Sequence, residues 1–421
     1  MQFKQYPSYK NSGVEWLGDV PEHWYIFKSN KIFKQSNVRS YESDEQLTAS
    51  QKYGVIPQSL YMKKEESKVV LALSGIDNFK HVDKNDFVIS LRSFQGGIEL
   101  CFYDGCVSPA YTVLKPNKVI NYSFWSYLFK STIYISVLNT AVDGIREGKT
   151  ISYTNFGKIY INIPPLSEQA QIANYLDTET TRIDNLIAKQ EKLIELLEEQ
   201  RKSIISHAVT KGLNPNAPMK DSGVEWLGDV PEHWSENKIK FVSKLITDKT
   251  ANKSNVIALE NIESWTAKLV SSNSDFDSDG ICFKKNDVLF GKLRPYLAKV
   301  YLAESKGEAI GDIYVLRPNN LINPKFLKFF MLSEKFIDYV NSSTNGTKMP
   351  RANWDFIGSI SIFLPHIKIQ HEIVEYLDSA VLKIELIINK QKSLIEKLKE
   401  YRASIISHAV TGKIDVREFG A

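Results

Sequence analysis

Cysteine is scarce: Cys101, Cys106 and Cys282 are the only three in 421 residues. That is too few for a disulfide framework, and a Cys-x4-Cys pair without nearby histidines makes a poor zinc site. The thiols are therefore expected to be reduced and structural, with no metal bound. No stretch approaches the roughly 18 consecutive apolar residues that a bilayer span requires, and Met1 to Pro7 lacks the apolar core of a secretory signal. A cytoplasmic chain with no membrane partner is the expectation. Excess charge is also missing. The 53 Lys and Arg against 49 Asp and Glu leave +4, too little on its own to mark a nucleic-acid binder, although the excess falls mainly in residues 1–163.

Catalytic signatures are absent as well. There is no Asp/Asn-Pro-Pro-aromatic motif for amino-group methylation, no Gly-x-Gly-x-x-Gly loop, no His-Glu-x-x-His pair and no Gly-x-Ser-x-Gly elbow. Gly144–Thr150 resembles a phosphate-binding loop, but Asp143 stands where its first glycine is needed and no convincing helix start follows. No catalytic residue is assigned. What remains is an ordinary foldable composition, 43% hydrophobic and 24% charged, on a chain long enough for two or three domains.

The positive signal is a tandem duplication. SGVEWLGDVPEHW at Ser12–Trp24 recurs unchanged at Ser222–Trp234, and Pro164–Thr210 aligns without gaps on Pro365–Thr411 with about half its positions identical. Between these segments the copies diverge, yet Lys84-Asn85-Asp86 answers Lys285-Asn286-Asp287, and Val113–Asn117 answers Val315–Asn319. Each repeat reads as opening motif, variable region, then long helix. The divisions are 1–163, a helix and linker at 164–213, 214–363, and a helix and tail at 364–421.

In the first helix Ile183, Leu186, Ile187, Leu193, Ile194, Leu197, Ile204, Ile205 and Ala208 recur at three- and four-residue spacing. The second repeats the stripe with Ile384, Ile387, Ile388, Leu394, Ile395, Leu398, Ile405, Ile406 and Ala409. A helix of roughly 65 Å with one apolar stripe needs a partner, and the chain supplies an equal one, so pairing as a coiled coil is expected. A two-fold relation between repeats makes that pairing antiparallel. Gln190 and Gln391 interrupt the stripe at the same place, as a buried register-fixing amide or as a rim residue. Short β-rich runs and aromatic helical patches fill the variable regions, which places the chain in the α+β class.

Two kinds of loop could contact nucleic acid. Arg92, Ser93 and Gln95 follow one Lys-Asn-Asp match, and Lys292 and Arg294 follow the other. Glycine-bearing basic loops carry Arg146 and Lys149 in the first repeat, and Lys348 and Arg351 in the second. Arginine can grip guanine and glutamine can grip adenine through two hydrogen bonds, while lysine and arginine also meet phosphates; a solvated turn is the competing reading of each. His207 and His408 recur at the helix ends as packing or charge partners of the helix terminus rather than ligands. Trp16, Pro21 and Trp24, with Trp226, Pro231 and Trp234, read as a buried clamp at each opening motif.

The doubled SGVEWLGDVPEHW, with Pro-Pro-Leu-Ser-Glu-Gln at Pro164–Gln169 opening a long helix, resembles the specificity subunit of type I restriction-modification systems. The resemblance covers essentially the whole chain. It implies two pseudo-symmetric globular target recognition domains, each reading half of a split double-stranded DNA site, joined by two long helices paired as an antiparallel coiled coil. It further implies that the helices dock two methyltransferase (modification) subunits, which carry S-adenosylmethionine and methylate adenine at N6. Restriction/translocase subunits would then add ATP- and magnesium-dependent translocation and cleavage, leaving this chain with no cofactor and no catalysis. The second repeat departs from the pattern, since His366–Gln370 keeps only the glutamine of the corresponding opening. The competing reading is a non-catalytic coiled-coil scaffold without DNA specificity.

Overall fold

The computed structural model describes residues 4–66, 76–140, 151–250, 255–270, 279–344 and 349–419. Two compact units emerge: Met1–Lys189 with Leu394–Ala421, and Gln190–Ser393. Each unit holds one variable region together with part of both long helices, Leu166–Lys211 and Ile367–Val410.

In the first unit, strand Tyr25–Lys28 pairs with Tyr160–Ile163, so the beginning and end of the variable region are tied together. Inside that tie lies an antiparallel sheet in the order Phe33–Ser36, Thr112–Pro116, Phe87–Ile89, Glu99–Leu100. Helices Tyr122–Lys130 and Thr132–Thr140 follow, with Asn121 capping the former by accepting the Phe124 amide. Their aromatics close the core: Phe33 lies 5.0 Å from Trp125 and 5.3 Å from Phe129, ring centre to ring centre. The second unit repeats the plan with Ser235–Lys238 on Ser361–Leu364 and a sheet of Ser243–Ile246, Ile313–Pro318, Val288–Gly291 and Val300–Leu302. It adds a mixed four-stranded sheet in which Val256–Ala258 runs parallel to Gly307–Ile310. Both units are mixtures of helix and strand.

The scattered matches between the repeats have a structural cause. Asn85 and Asn286 take left-handed backbones, at φ 75° and 72°, and turn the chain into a central strand. The aspartate that follows is buried in each case and receives a cation from the second match. Lys115 Nζ lies 2.9 Å from Asp86, and Arg317 grips Asp287 through Nε at 2.8 Å and Nη2 at 2.7 Å. Burial raises the Asp86 carboxyl above its usual range, and the Asp287 bond raises the Arg317 guanidinium.

The opening motifs fold alike and are capped alike. Tyr9–Asn11 pairs with Asp19–Pro21, and Met219–Asp221 with Asp229–Pro231; Trp24 and Trp234 are buried, whereas Trp16 and Trp226 are half-buried. At the end of each long helix a glycine with positive φ and a neighbouring lysine lock onto the motif, in opposite sequence order. Lys211 donates to the carbonyls of Leu227 and Asp229, and Gly212 (φ 77°) faces Trp234; Lys413 donates to Leu17 and Asp19, and Gly412 (φ 72°) faces Pro21 and Trp24. A Cβ on Gly412 would run into the Pro21 ring. Gly412→Ala is therefore expected to destabilise the first unit by about 2–4 kcal/mol, through left-handed strain plus overpacking. Gly13→Ala has φ 69° but open space around it, so it isolates the strain, at about 1 kcal/mol. Thermal denaturation of the two variants tests this; equal losses would refute the packing component.

The glutamine retained in both helix openings is an anchor. Gln169 accepts from the Asn121 amide and from Trp125 Nε1, and donates to Pro164. Gln370 accepts from the Asn323 amide and donates to Leu321 and Pro365. Glu168, present only in the first repeat, accepts from Trp24 Nε1 at 3.0 Å and contacts His23 Nε2 at 2.7 Å.

Along the helices the first unit sets Arg402 on Asp184 (Nε–Oδ1 2.8 Å) and buries Ile183, Ile405 and Ile406, with Ile187 and Leu398 packed beside them. Ile395 is buried too. The second unit clusters Leu197, Ile384 and Ile388, with Ile194 against them. Gln190 and Gln391 are half-buried. The expected stripe is too broad: Leu193, Ile387 and Leu394 are 37%, 42% and 41% exposed. A straight α-helix turns these positions away from the narrower seam.

Candidate nucleic-acid interface

In the second unit the strand Val288–Gly291 delivers Lys292 and Arg294 to a loop. Residues 350–352 return beside it: Arg294 N donates to Pro350 O and Ala352 N to Lys292 O, both at 2.8 Å, and Leu293 bridges Arg351. Candidates nearly sixty positions apart in sequence thus share one edge. Asp312 stands between two of them, 3.0 Å from Arg351 Nη2 and 3.7 Å from Lys292 Nζ, while Lys292 Nζ sits 5.2 Å over the Tyr314 ring. Arg294 differs from its neighbours. It has φ 50°, is exposed, and makes no ion pair among the described residues; the buried Pro295 behind it anchors a short 3-10 turn with half-exposed Tyr296 at its centre. A non-glycine residue held left-handed before proline stores strain, which is typical of a loop whose shape is used.

In the first unit Arg92 and Gln95 are exposed on the short helix Ser93–Gly96 and its preceding residue. They line a cleft of about 500 Å3 with Lys52, Tyr61 and Tyr111. Ser93 points elsewhere: it is buried, and its hydroxyl accepts the Ser90 amide at 2.9 Å, so it shapes the turn from within. Gly97 (φ 83°) lies against the Phe129 carbonyl with no room for a side chain. In the same cleft Glu65 accepts from the Tyr53 hydroxyl at 2.8 Å and from Lys52 Nζ at 3.0 Å, which hold its carboxyl below the usual range. Glu99 is buried against Lys130 Nζ at 2.7 Å, and burial raises its carboxyl.

Arg146, Lys149 and the loop Gly144–Thr150 lie outside the described residues, as does Lys348. Lys52, Tyr61 and Tyr111, and in the second unit Asp312 and Tyr314, were not legible as site residues, because tertiary folding brings them in from distant segments. All three cysteines are free, with Cys101 and Cys106 buried. Among the described residues no cluster of three or more His, Cys, Asp or Glu side chains could hold a metal, and no helix is long and apolar enough to cross a membrane.

The duplicated plan has a counterpart in known proteins. The family model for the type I restriction modification DNA specificity domain matches residues 17–198 and again 231–397. The chain belongs to the type I restriction-modification DNA specificity family. It is 26% identical over 295 residues to the EcoDI specificity subunit of Escherichia coli, a match spanning 64% of this chain and 66% of that subunit, just under two thirds of its length. It is 27% identical over 358 residues to the MjaVIII specificity subunit of Methanocaldococcus jannaschii, spanning 80% of each. A chain solved in work on complex assembly and conformational transition of the type I R-M system aligns over 93% of this chain and 98% of its own, with TM-score 0.70 and 14% identity. The HsdS subunit of Thermoanaerobacter tengcongensis aligns over 94% and 98%, with TM-score 0.57 and 15% identity. These two likenesses show a shared fold, and the doubled match of the family model shows the two domains.

Proposed function

We propose that each unit reads one half of an asymmetric, bipartite double-stranded DNA site, leaving the spacer between the halves unread. The observation carrying this is the second unit's edge, where Lys292, Arg294 and Arg351 converge with a single carboxylate among them. Cations in that arrangement suit phosphates, and an unpaired arginine suits a guanine edge. The two halves differ because the variable regions differ, so the site has no palindrome.

The long helices pair as an antiparallel coiled coil that fixes the half-site separation. Arg402 on Asp184 in the first unit, and Leu197 with Ile384 and Ile388 in the second, support this direction. Their outer faces dock two modification subunits, a role that suits the exposed Leu196, Leu382 and Leu386. S-adenosylmethionine, ATP and magnesium then bind on the modification and restriction/translocase subunits, and this chain supplies specificity without catalysis, in the cytoplasm.

The test is to express the chain with its modification subunits and map N6-methyladenine across the host genome. A split motif that vanishes on deletion of this chain is expected. Exchanging residues 25–163 for those of another family member should change one half of that motif and leave the other half and the spacer intact. A change in both halves would sink the modular reading. A stable complex with no methylated motif would favour a scaffold.

A further inference from the structure

The two units treat one helix arginine differently. In the gapless alignment of the helices Arg201 corresponds to Arg402, and Glu385 to Asp184. Arg402 grips Asp184 with Nε at 2.8 Å and Nη2 at 3.1 Å. In the second unit the equivalent carboxylate is taken: Glu385 pairs with Lys268 at 2.6 Å. Arg201 is only 6% exposed, its Nε has no hydrogen-bond partner, and it forms no ion pair among the described residues. A buried guanidinium without a counter-charge is costly, because the desolvation penalty is not offset.

Arg201 lines a cleft of about 310 Å3 whose walls also bear Lys325, Lys328, Trp265 and Asp378. Asp378 is engaged by Lys325 at 2.6 Å and lies 3.9 Å from Lys328. Lys328 sits 3.7 Å over the Phe329 ring, and burial pushes its ammonium down to about 8 although Asp378 and Glu385 act to raise it. Two left-handed non-glycine residues, Trp265 (φ 64°) and Ala267 (φ 58°), shape the rim, and Lys202 covers the Trp265 ring at 4.1 Å. Three cations thus face a space lined by two carboxylates, Asp378, which serves both lysines, and Glu385, which is paired with Lys268, so none is left for Arg201.

We propose that this cleft is an oxyanion site: Arg201, with Lys328 and Lys325, receives a phosphate or carboxylate group. An oxyanion there would accept from the guanidinium fork, which has geometry suited to two parallel hydrogen bonds. The site is independent of the DNA-reading edge, since it shares none of the residues assigned to that edge.

The test uses the full chain and inorganic phosphate as probe, with chloride at matched ionic strength as reference. Phosphate is expected to raise the Tm of the wild type by about 2–4 °C beyond chloride near saturation. Arg201→Gln should lose most of that shift. Lys328→Met, which keeps the packing on Phe329, should weaken phosphate binding several-fold and serves if the Arg201 variant misfolds. Arg402→Gln, whose guanidinium already has Asp184, should retain the full shift. Acetate at the same ionic strength separates the two sources: a response to phosphate alone assigns a phosphate group, and an equal response to acetate assigns a carboxylate. No shift beyond chloride in the wild type overturns the proposal, and so does a shift that survives in both Arg201→Gln and Lys328→Met.

Discussion

Arg294→Ala is expected to relax the DNA site at one base pair of one half, with a loss of about 1–3 kcal/mol of discrimination, or roughly 5–150-fold. Arg294 carries this expectation because it is exposed, lacks a partner among the described residues, and is held at φ 50° by a loop pinned through the Pro350 carbonyl and buried Pro295. Its side chain therefore reaches DNA without first breaking an ion pair. Arg351 is different: Asp312 holds it at 3.0 Å, which suits a positioned phosphate contact. Arg351→Ala should weaken every sequence alike and lower the salt slope of binding by about 1. Competition among duplexes with one base changed at a time, repeated at several salt concentrations with the assembled complex, separates the two behaviours. Uniform weakening by Arg294→Ala, with no relaxed position, would assign it to the backbone instead.

The largest stability loss is expected from Arg317→Ala, at about 3–5 kcal/mol, because it leaves Asp287 charged and 2% exposed with no cation. Asp287 also accepts the Lys284 amide at 2.8 Å, so it cannot swing into solvent without undoing the turn that starts the central strand. The damage should be local. Amide exchange should accelerate in Val288–Gly291 and Ile313–Pro318, which pair with each other, while the first unit keeps its protection. Adding Asp287→Asn to Arg317→Met should recover most of the loss, since the amide still accepts from Lys284 and no buried charge remains. If Arg317→Ala leaves exchange in these strands unchanged, the ion pair is not what secures the turn.

Much of the architecture was legible because duplication writes the same physics twice. The repeated opening motif folded into the same hairpin and buried tryptophan in both units, and the three-four spacing of isoleucines and leucines became two helices of 46 and 44 residues. The seam was narrower than its pattern, since spacing places residues on a helix face without saying how much of that face a partner covers. Leu193, Ile387 and Leu394 are apolar, yet remain exposed. The candidate site was only partly legible. Lys292, Arg294 and Arg351 were each visible as basic loop residues, but nothing in their spacing linked 292–294 to 351, and Ser93 proved to be a buried turn-former.

The duplication, the long helices, the position of each variable region and the basic loops could all be read from the amino-acid order, because local spacing and identity are properties of the chain alone. Which distant residues meet emerged from folding. It explained why Lys-Asn-Asp and Val-Leu-Lys/Arg-Pro recur together, by placing Lys115 on Asp86 and Arg317 on Asp287. It also distinguished two arginines that the alignment makes equivalent, satisfying Arg402 with Asp184 and leaving Arg201 buried beside a carboxylate already held by Lys268. Ion pairing and burial depend on through-space distance of a few ångströms, and that distance is set by packing of segments far apart in the chain.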